Sequence, residues 1–165
     1  MPVANYVFTE TSPAAAGTAA SSQPVIGGVD NGIPNGVCGL LGDYEAIDII
    51  ADLKGATGGA LDVYVQNSPD EGVSWYDIIH FQQLAPGGAL VSYQAPISNA
   101  TTTTAPILVG KNLTPALAPG QVVNGAFSDR LRLVMVAGVS TTAGAPVVVR
   151  ICPQRARIRE GGEST

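Results

Sequence analysis

The sequence has few charged residues, a single histidine and two cysteines, and each shortage excludes a class of site. Charged residues make up 13% of the 165 residues, roughly half the usual share. The histidine and the two cysteines, Cys38 and Cys152, cannot supply the spaced ligands of a zinc site. We therefore expect no metal and no other cofactor. We also expect Cys38 and Cys152 to be buried free thiols in a reducing cytosol rather than a disulfide.

The sequence also lacks long hydrophobic runs and an excess of positive charge. No apolar stretch reaches the length of about 18 residues that a membrane span requires, and the start, MPVANYVF, has no basic segment followed by an apolar one. We therefore expect neither a membrane partner nor a secretory signal. The net charge of −5 argues against nucleic acid as the main ligand, because phosphate binding needs a positive surface.

Short runs of valine and isoleucine, separated by glycine and proline, recur along the chain. With 20 Gly, 12 Pro and 45% hydrophobic residues, this pattern is typical of short strands joined by long loops. We predict an all-β fold, an antiparallel β-sandwich or jelly roll of about seven to nine strands with an extended N-terminal arm and long loops. The predicted divisions are the arm at 1–42, the sandwich domain at 43–153 and a C-terminal tail at 154–165.

The clearest local pattern is a β-hairpin at residues 60–81. Val63 and Val65 belong to an apolar row that is predicted to face the core, while the alternate row, with Tyr64 and Gln66, is predicted to lie outside. A turn-forming stretch follows, and an aromatic and β-branched run then supplies the return strand.

Further strands are predicted on both sides of this hairpin. They cover residues 44–54, 90–95, 107–109, 121–123, 130–137 and 145–152. The first is predicted to be an antiparallel neighbour of the hairpin, since consecutive strands usually pair. The last two are predicted to pair with each other across the VSTTAG turn.

The turn of the hairpin carries a short motif. Ser68, Asp70, Gly72 and Trp75 fit the pattern S-x-D-x-G-x-[ST]-W, which resembles the Asp-box hairpin of sialidases. The motif predicts a structural turn, because the Ser and Asp oxygens accept backbone N–H groups, the Gly takes a conformation closed to side chains and the Trp packs beneath. A sialidase would need several such boxes and an arginine cluster for its substrate, and the sequence has one box.

The single histidine, His80, lies between Ile79 and Phe81 in the predicted return strand. A catalytic histidine needs a nucleophile and an orienting acid that converge on it, and the sequence has neither a GxSxG elbow nor a cysteine nearby. We predict a structural histidine with a hydrogen-bonded ring. We also predict that the protein is not an enzyme and has no catalytic residues.

The N-terminal arm is predicted to be either an interaction segment or a disordered tail. It consists mostly of small residues, which bury too little apolar area to order the backbone without help. Tyr6, Val7 and Phe8 are its predicted anchor, laid as an edge strand on the same domain or on a neighbouring molecule.

The C-terminal tail is the second predicted interaction segment, unless it is simply an exposed terminus. Its arginines, Arg155, Arg157 and Arg159, contrast with the many acids between Asp43 and Asp77, and this asymmetry suits docking between subunits or onto an acidic partner. The low charge of the whole chain also indicates that much of the exterior is covered by copies of itself or by a partner.

Three stretches together resemble a known class of proteins. GGALDVYVQNSPDEGVSWYDIIHF, RLRLVMVAG and APVVVRI, within residues 44–152, are similar to small virion proteins of tailed bacteriophages, in particular capsid cement or decoration proteins with β-sandwich cores. The resemblance implies a protein made in the host cytoplasm that binds the major capsid protein, self-associates and resides on the capsid surface of the virion. No site residues carry over from it, because binding in that class is spread over a surface.

Two other functions fit the same sequence features. A head-to-tail connector or a tail component of the virion would also be a charge-poor, non-enzymatic structural protein. A carbohydrate-binding β-sandwich module is suggested by the aromatic residues Trp75, Tyr64, Tyr76 and Tyr93, because sugars stack on aromatic rings.

Overall fold

Two antiparallel β-sheets packed face to face form the protein in a computed structural model. The structure describes residues 6–22, 36–39, 41, 44–99, 108–125, 127–138 and 144–154. These residues contain ten strands and no helix, so the predicted antiparallel β-sandwich is confirmed. No helix that is long and apolar enough to cross a membrane occurs in the described part of the chain.

Sheet A has four strands in the spatial order β1-β10-β4-β7. They are β1 (Tyr6–Thr11), β10 (Pro146–Gln154), β4 (Ala46–Leu53) and β7 (Val91–Ser98).

Sheet B has six strands. Five follow the order β2-β9-β5-β6-β8, and β3 also pairs with β9. They are β2 (Gly17–Ala20), β9 (Arg130–Ala137), β5 (Leu61–Ser68), β6 (Tyr76–His80), β8 (Gln121–Val122) and β3 (Val37–Cys38).

The core lies between the inner faces of the two sheets. Alternate residues of β4, from Ile47 to Leu53, point into it from sheet A, and alternate residues of β9, Leu131 and Leu133 among them, point into it from sheet B. Both strands follow the period of two that the sequence shows, since successive side chains of a strand point to opposite faces.

Two predicted strand pairings are wrong. β4 was expected beside the hairpin, but it pairs with β10 and β7 in sheet A, while the hairpin β5–β6 lies in sheet B. β9 and β10 were expected to pair with each other, but β9 pairs with β5 and β10 with β1 and β4. In both cases the chain crosses from one sheet to the other between the two strands. The apolar faces of the two strands then pack against each other across the core, whereas paired strands would lie side by side in one sheet.

The N-terminal segment contributes a strand to each sheet. β1 pairs with β10 over its whole length, from Tyr6 opposite Ile151 to Thr11 opposite Pro146, and β2 pairs with β9. Of the two positions that the sequence left open for β1, the edge of the same domain is the one it occupies. The chain thus closes one side of the sandwich as it passes from sheet A to sheet B.

A further chain segment covers part of the outer face of sheet B. Leu117 packs there in a second apolar cluster with Tyr64 of β5 and Val134 of β9. Tyr64 and Gln66 are therefore buried, and the prediction that their row lies outside is wrong. The predicted strand at 107–109 is not formed at Leu108 and Val109, and Ile107 lies outside the described residues.

Candidate functional site

The turn between β5 and β6 is held by the side chains of the Asp-box pattern. The Ser68 hydroxyl donates to Asp70 Oδ1 at 2.9 Å and accepts the Gly72 N–H at 2.7 Å. Asp70 Oδ1 also accepts the Ser74 N–H at 2.7 Å. Gly72 has φ +99, a backbone conformation that strongly favours glycine.

Trp75 lies beneath this turn and is covered by an arginine. Its indole Nε1 donates to the Gly72 carbonyl at 3.0 Å, and the Arg132 guanidinium lies 4.5 Å from the centroid of the Trp75 ring. Burial lowers the pKa of Arg132, and the negative charge of Asp77 opposes this effect. The Arg132 side chain donates to Gln66 Oε1 from Nε at 3.0 Å and from Nη2 at 2.8 Å. The stacking and the paired hydrogen bonds together fix the guanidinium plane.

Asp77 is the centre of the polar network in this region. The residue is 1% exposed. Asp77 Oδ1 accepts the Gln66 amide at 2.8 Å, and Asp77 Oδ2 accepts the backbone N–H groups of Gly110, Ala116 and Leu117 at 2.9, 2.8 and 3.1 Å. A buried carboxylate is tolerated when its lone pairs are satisfied in this way. The carboxylate therefore ties the segment around residues 110–117 to β6.

The same segment borders the start of β6. The Asn112 N–H donates to the Trp75 carbonyl at 2.8 Å, and the Trp75 N–H donates to Asn112 Oδ1 at 3.1 Å. Close packing accompanies these bonds, because a Cβ added at Gly110 would lie 2.3 Å from the Ala116 nitrogen. Further along, β8 pairs with the end of β6. The edge of sheet B at β6 is thus bordered at both ends.

His80 has the hydrogen-bonded ring that the sequence predicts. Its Nδ1 lies 2.6 Å from the Leu117 carbonyl and its Nε2 3.0 Å from Asp62 Oδ1. The ring stacks on Tyr64 with a centroid separation of 3.9 Å. His80 therefore helps to hold the segment at Leu117 against sheet B.

Exposed apolar side chains border β6 on this hydrogen-bonded framework. We call them the β6 margin: Val73, Leu108, Leu113 and Val122, which are 39% to 79% exposed. Leu108 and Leu113 flank residues 110–112 beside the start of β6, and Val122 pairs with Ile79 near its end. Val73 lies in the turn that leads into β6. The four side chains are spread along the length of β6, and exposed apolar residues along one edge of a sheet suit a partner that covers that edge.

The predicted interface residues of the N-terminus divide between core and surface. Phe8 is fully buried in the core of its own chain, so its side chain cannot contact a partner, whereas Val7 is 41% exposed. The Tyr6 hydroxyl donates to the Gly39 carbonyl at 2.7 Å, and burial raises the pKa of Tyr6. Partner binding through Tyr6, Val7 or the backbone of this segment stays a prediction.

The arginines of the predicted tail interface, Arg155, Arg157 and Arg159, lie outside the described residues. Partner binding by the tail therefore also stays a prediction. Among the described residues, no three His, Cys, Asp or Glu side chains come together as ligands for a metal ion.

All four aromatic residues suggested for sugar binding make contacts within the protein, and Tyr93 does so through the Phe81 ring, 5.5 Å away between centroids. Tyr64 and Trp75 are buried, and the Lys111 ammonium lies 5.7 Å from the centroid of the Tyr76 ring. Tyr93 of β7 is half-buried and lines two open cavities of about 190 and 210 Å³. Tyr76 also lines an open cavity, of about 360 Å³, but the Lys111 ammonium faces its ring, so among the described residues Tyr93 is the better placed of the two for stacking on a sugar.

Comparison with known proteins gives no relative for this arrangement. No protein-family model, no curated protein and no solved structure matches the chain significantly.

The hydrogen bonds of the turn predict a loss of stability in acid. The Ser74 backbone N–H lowers the pKa of Asp70 below its ordinary value of 3.8, and the Ser68 hydroxyl adds to this effect. Because the folded-state pKa is depressed, the contribution of Asp70 to stability is present above pH 3.8 and is lost as the pH falls through the folded-state value. Urea unfolding between pH 5 and about 2 should therefore show a shallower pH dependence in Asp70→Asn than in the wild type. An unchanged dependence would contradict this role.

The two cysteines are predicted to differ in reactivity. Both are free; Cys38 is buried in sheet B, whereas Cys152 on sheet A is only half-buried, so the prediction of two buried thiols is correct for Cys38 alone. Burial raises the pKa of the Cys38 thiol to about 12, so almost no thiolate forms at neutral pH. A thiol reagent at pH 8 should modify Cys152 in the native protein and Cys38 only on unfolding. Cys152→Ser should remove the native-state reaction; if that reaction persists, Cys38 is accessible.

Proposed function

We propose that the protein is a non-enzymatic structural protein of a tailed-bacteriophage virion that binds the capsid lattice and stabilises it, as a decoration protein does. The observation that carries this proposal is the β6 margin, an exposed apolar surface on an ordered support. The major capsid protein is the proposed partner, and the surface of the virion is the proposed location. The resemblance of the hairpin and of the two late strands to phage capsid decoration proteins supports the same function.

The support of the β6 margin suits lattice binding. Leu108 and Leu113 flank residues whose backbone is tied to β6 through Asp77 and Trp75, so little backbone entropy is lost there when a partner covers the two leucines. Buried apolar area contributes about 25 cal/mol per Å² before the costs of association are counted. Many copies, each with a modest apolar contact, can together brace a lattice that repeats the same site.

Binding to undecorated capsids of the phage that carries this gene tests the proposal. The wild-type protein should co-sediment with these capsids and raise the temperature at which they release DNA. Leu108→Asp combined with Leu113→Asp should reduce binding at least tenfold. Leu90→Asp is the matched control, because Leu90 is 62% exposed but lies next to β7, and it should bind like the wild type. Absence of wild-type binding, or equal losses in both variants, would refute the proposal.

Imaging of the virion separates this function from the alternative of a connector or tail component. A decoration protein should be found in many copies over the capsid faces. Density confined to the head-to-tail vertex or to the tail would favour the alternative instead.

The carbohydrate-binding alternative is favoured by one observation, the position of Tyr93 between two open cavities. Gln82 and Gln94 line one of these cavities and Gln83 the other, and amide groups suit sugar hydroxyls. A glycan array with wild type and Tyr93→Ala tests this alternative. Signals that disappear in the variant would favour it over capsid binding, and a blank wild-type array at millimolar sugar would remove it.

A further inference from the structure

We propose that β1 pairs antiparallel with β1 of a second copy, so that the two copies of sheet A join into one continuous sheet. This inference names the surface for the self-association that accompanies the proposed function. The test uses no capsids. Failure of the β1 pairing would therefore not count against capsid binding, and failure of capsid binding would not count against the β1 pairing.

The hydrogen bonds of β1 show which backbone groups are available for this pairing. The Ser12 N–H donates to the Ala145 carbonyl at 2.9 Å, next to the Thr11–Pro146 pair of the register. Backbone direction alternates along a strand, so Tyr6, Phe8 and Glu10 direct their N–H and C=O groups toward β10. Val7, Thr9 and Thr11 direct theirs away from sheet A, where no described residue pairs with them.

The opposite edge of sheet A is obstructed. The Asn99 N–H donates to the Glu45 carbonyl, so by the same alternation Ser92, Gln94, Pro96 and Ser98 direct their backbone groups outward from β7. Pro96 has no N–H to offer at this edge. The Ser98 N–H is taken by Asn124 Oδ1 at 3.0 Å, and its carbonyl accepts the Gly125 N–H at 3.1 Å.

The edge of sheet B at β6 is less available to a new strand than β1 is. Residues 110–112 and β8 already pair with β6 along this edge. The remaining side of the sandwich is formed by β1 and β2. Natural proteins usually block an exposed edge with charged side chains, proline or a bulge. Within Tyr6–Thr11, β1 has no proline and no bulge, and its one charged side chain, Glu10, is held by the Ser22 N–H.

The chemistry of this side suits an identical strand. Residues 6–20 contain one charged side chain, Glu10, and its carboxylate accepts the Ser22 N–H at 2.5 Å. Val7, Thr9 and Thr11, whose backbone groups point away from sheet A, have small, uncharged and exposed side chains. A charged partner finds no complementary charge on them, whereas a second copy meets them without like-charge repulsion.

The pairing has a defined register. With Thr9 opposite Thr9 of the second copy, Val7 lies opposite Thr11 on both sides of the two-fold axis. Each of these three pairs then exchanges both of its N–H···O bonds. β-branched residues also pack well across neighbouring strands. The contact is isologous and therefore closes at two copies instead of growing into a fibre.

Proline substitutions at matched positions test the pairing. Across sheet A, Thr9 pairs with Val148, Val148 with Asp52, and Asp52 with Ser92. Thr9 and Ser92 therefore occupy matching positions on the two edge strands, and the N–H group of each points outward. Wild type should dimerise in analytical ultracentrifugation at micromolar concentrations. Thr9→Pro should raise the dimer dissociation constant at least tenfold, whereas Ser92→Pro should not. A wild-type protein that stays monomeric at hundreds of micromolar, or equal effects of both prolines, would overturn the proposal.

A crosslinking measurement covers the case in which Thr9→Pro does not fold. In an antiparallel pair of this type, facing Cα atoms are about 5.5 Å apart, a distance that a disulfide can span. In a Cys152→Ser background, Thr9→Cys should oxidise to a covalent dimer, and Ser92→Cys should stay monomeric. Failure of Thr9→Cys to crosslink while the wild type dimerises would place the interface elsewhere, on another edge or with another register.

Discussion

Replacement of Asp77 by alanine is expected to lower the free energy of unfolding by about 3 to 5 kcal/mol. The variant leaves three backbone N–H groups, those of Gly110, Ala116 and Leu117, without their acceptor, and it removes a partner of the Gln66 amide. Each buried donor without a partner costs about 1 to 3 kcal/mol. Urea unfolding followed by Trp75 fluorescence would measure the change, because Trp75 lies in the same network.

Two further variants control for charge and for shape. Asp77→Asn keeps the size of the side chain but places an NH₂ group where only donors approach, so it should lose about 2 to 3 kcal/mol. Asp52→Ala removes an aspartate from the outer face of sheet A, where its partners are Arg150 and Ser92, and it should change stability only slightly because exposed ion pairs contribute little. If Asp77→Ala unfolds at the same urea concentration as Asp52→Ala, the segment at 110–117 is not anchored through Asp77.

Phe8→Ala is the second substitution with a large expected effect, a loss of about 3 to 5 kcal/mol. Phe8 is fully buried in the core between the sheets, and truncation leaves a cavity that the neighbouring strands cannot fill. Thermal unfolding monitored by circular dichroism would show the loss as a lowered Tm.

Val7→Ala is the matched control, because Val7 is the next residue of β1 and points to the outer face. The 41% exposure of Val7 predicts a loss below about 1 kcal/mol. Similar small losses in both variants would mean that residues 6–11 are a dispensable arm, and the same outcome would remove the basis for pairing through β1.

Much of the local structure could be predicted from the sequence because it depends on neighbouring residues. The hairpin at 60–81, its turn and the inward rows of β4 and β9 follow from alternation and from turn-forming residues. The hydrogen-bonded ring of His80 was also predicted, since the sequence supplied no nucleophile or acid pattern for catalysis. For the hairpin, its turn and the two inward rows, the deciding contacts lie within one strand or one turn. The partners of the His80 ring, Leu117 and Asp62, come from other segments and could not be named from the sequence.

The polar network could not be predicted in the same way. Asp77, Gln66 and Arg132 come from three strands, and their partners at 110–117 lie more than 30 positions from Asp77. The sequence shows them only as polar residues in apolar strands, which is a weak signal. Asp77 and Gln66 were missed because an outward-facing polar row is the usual meaning of that pattern.

The sequence by itself determined that the chain forms short antiparallel strands, which residues of most strands face the core, and how the β5–β6 turn closes. These features depend on the two-residue period of a strand and on the conformations open to glycine, both of which are local. The tertiary structure alone decided which sheet each strand joins, that residues 6–20 close one side of the sandwich, and that a loop buries Tyr64 and Asp77. An alternating strand fits either sheet equally well, so its place is decided by packing between segments that are distant in the chain.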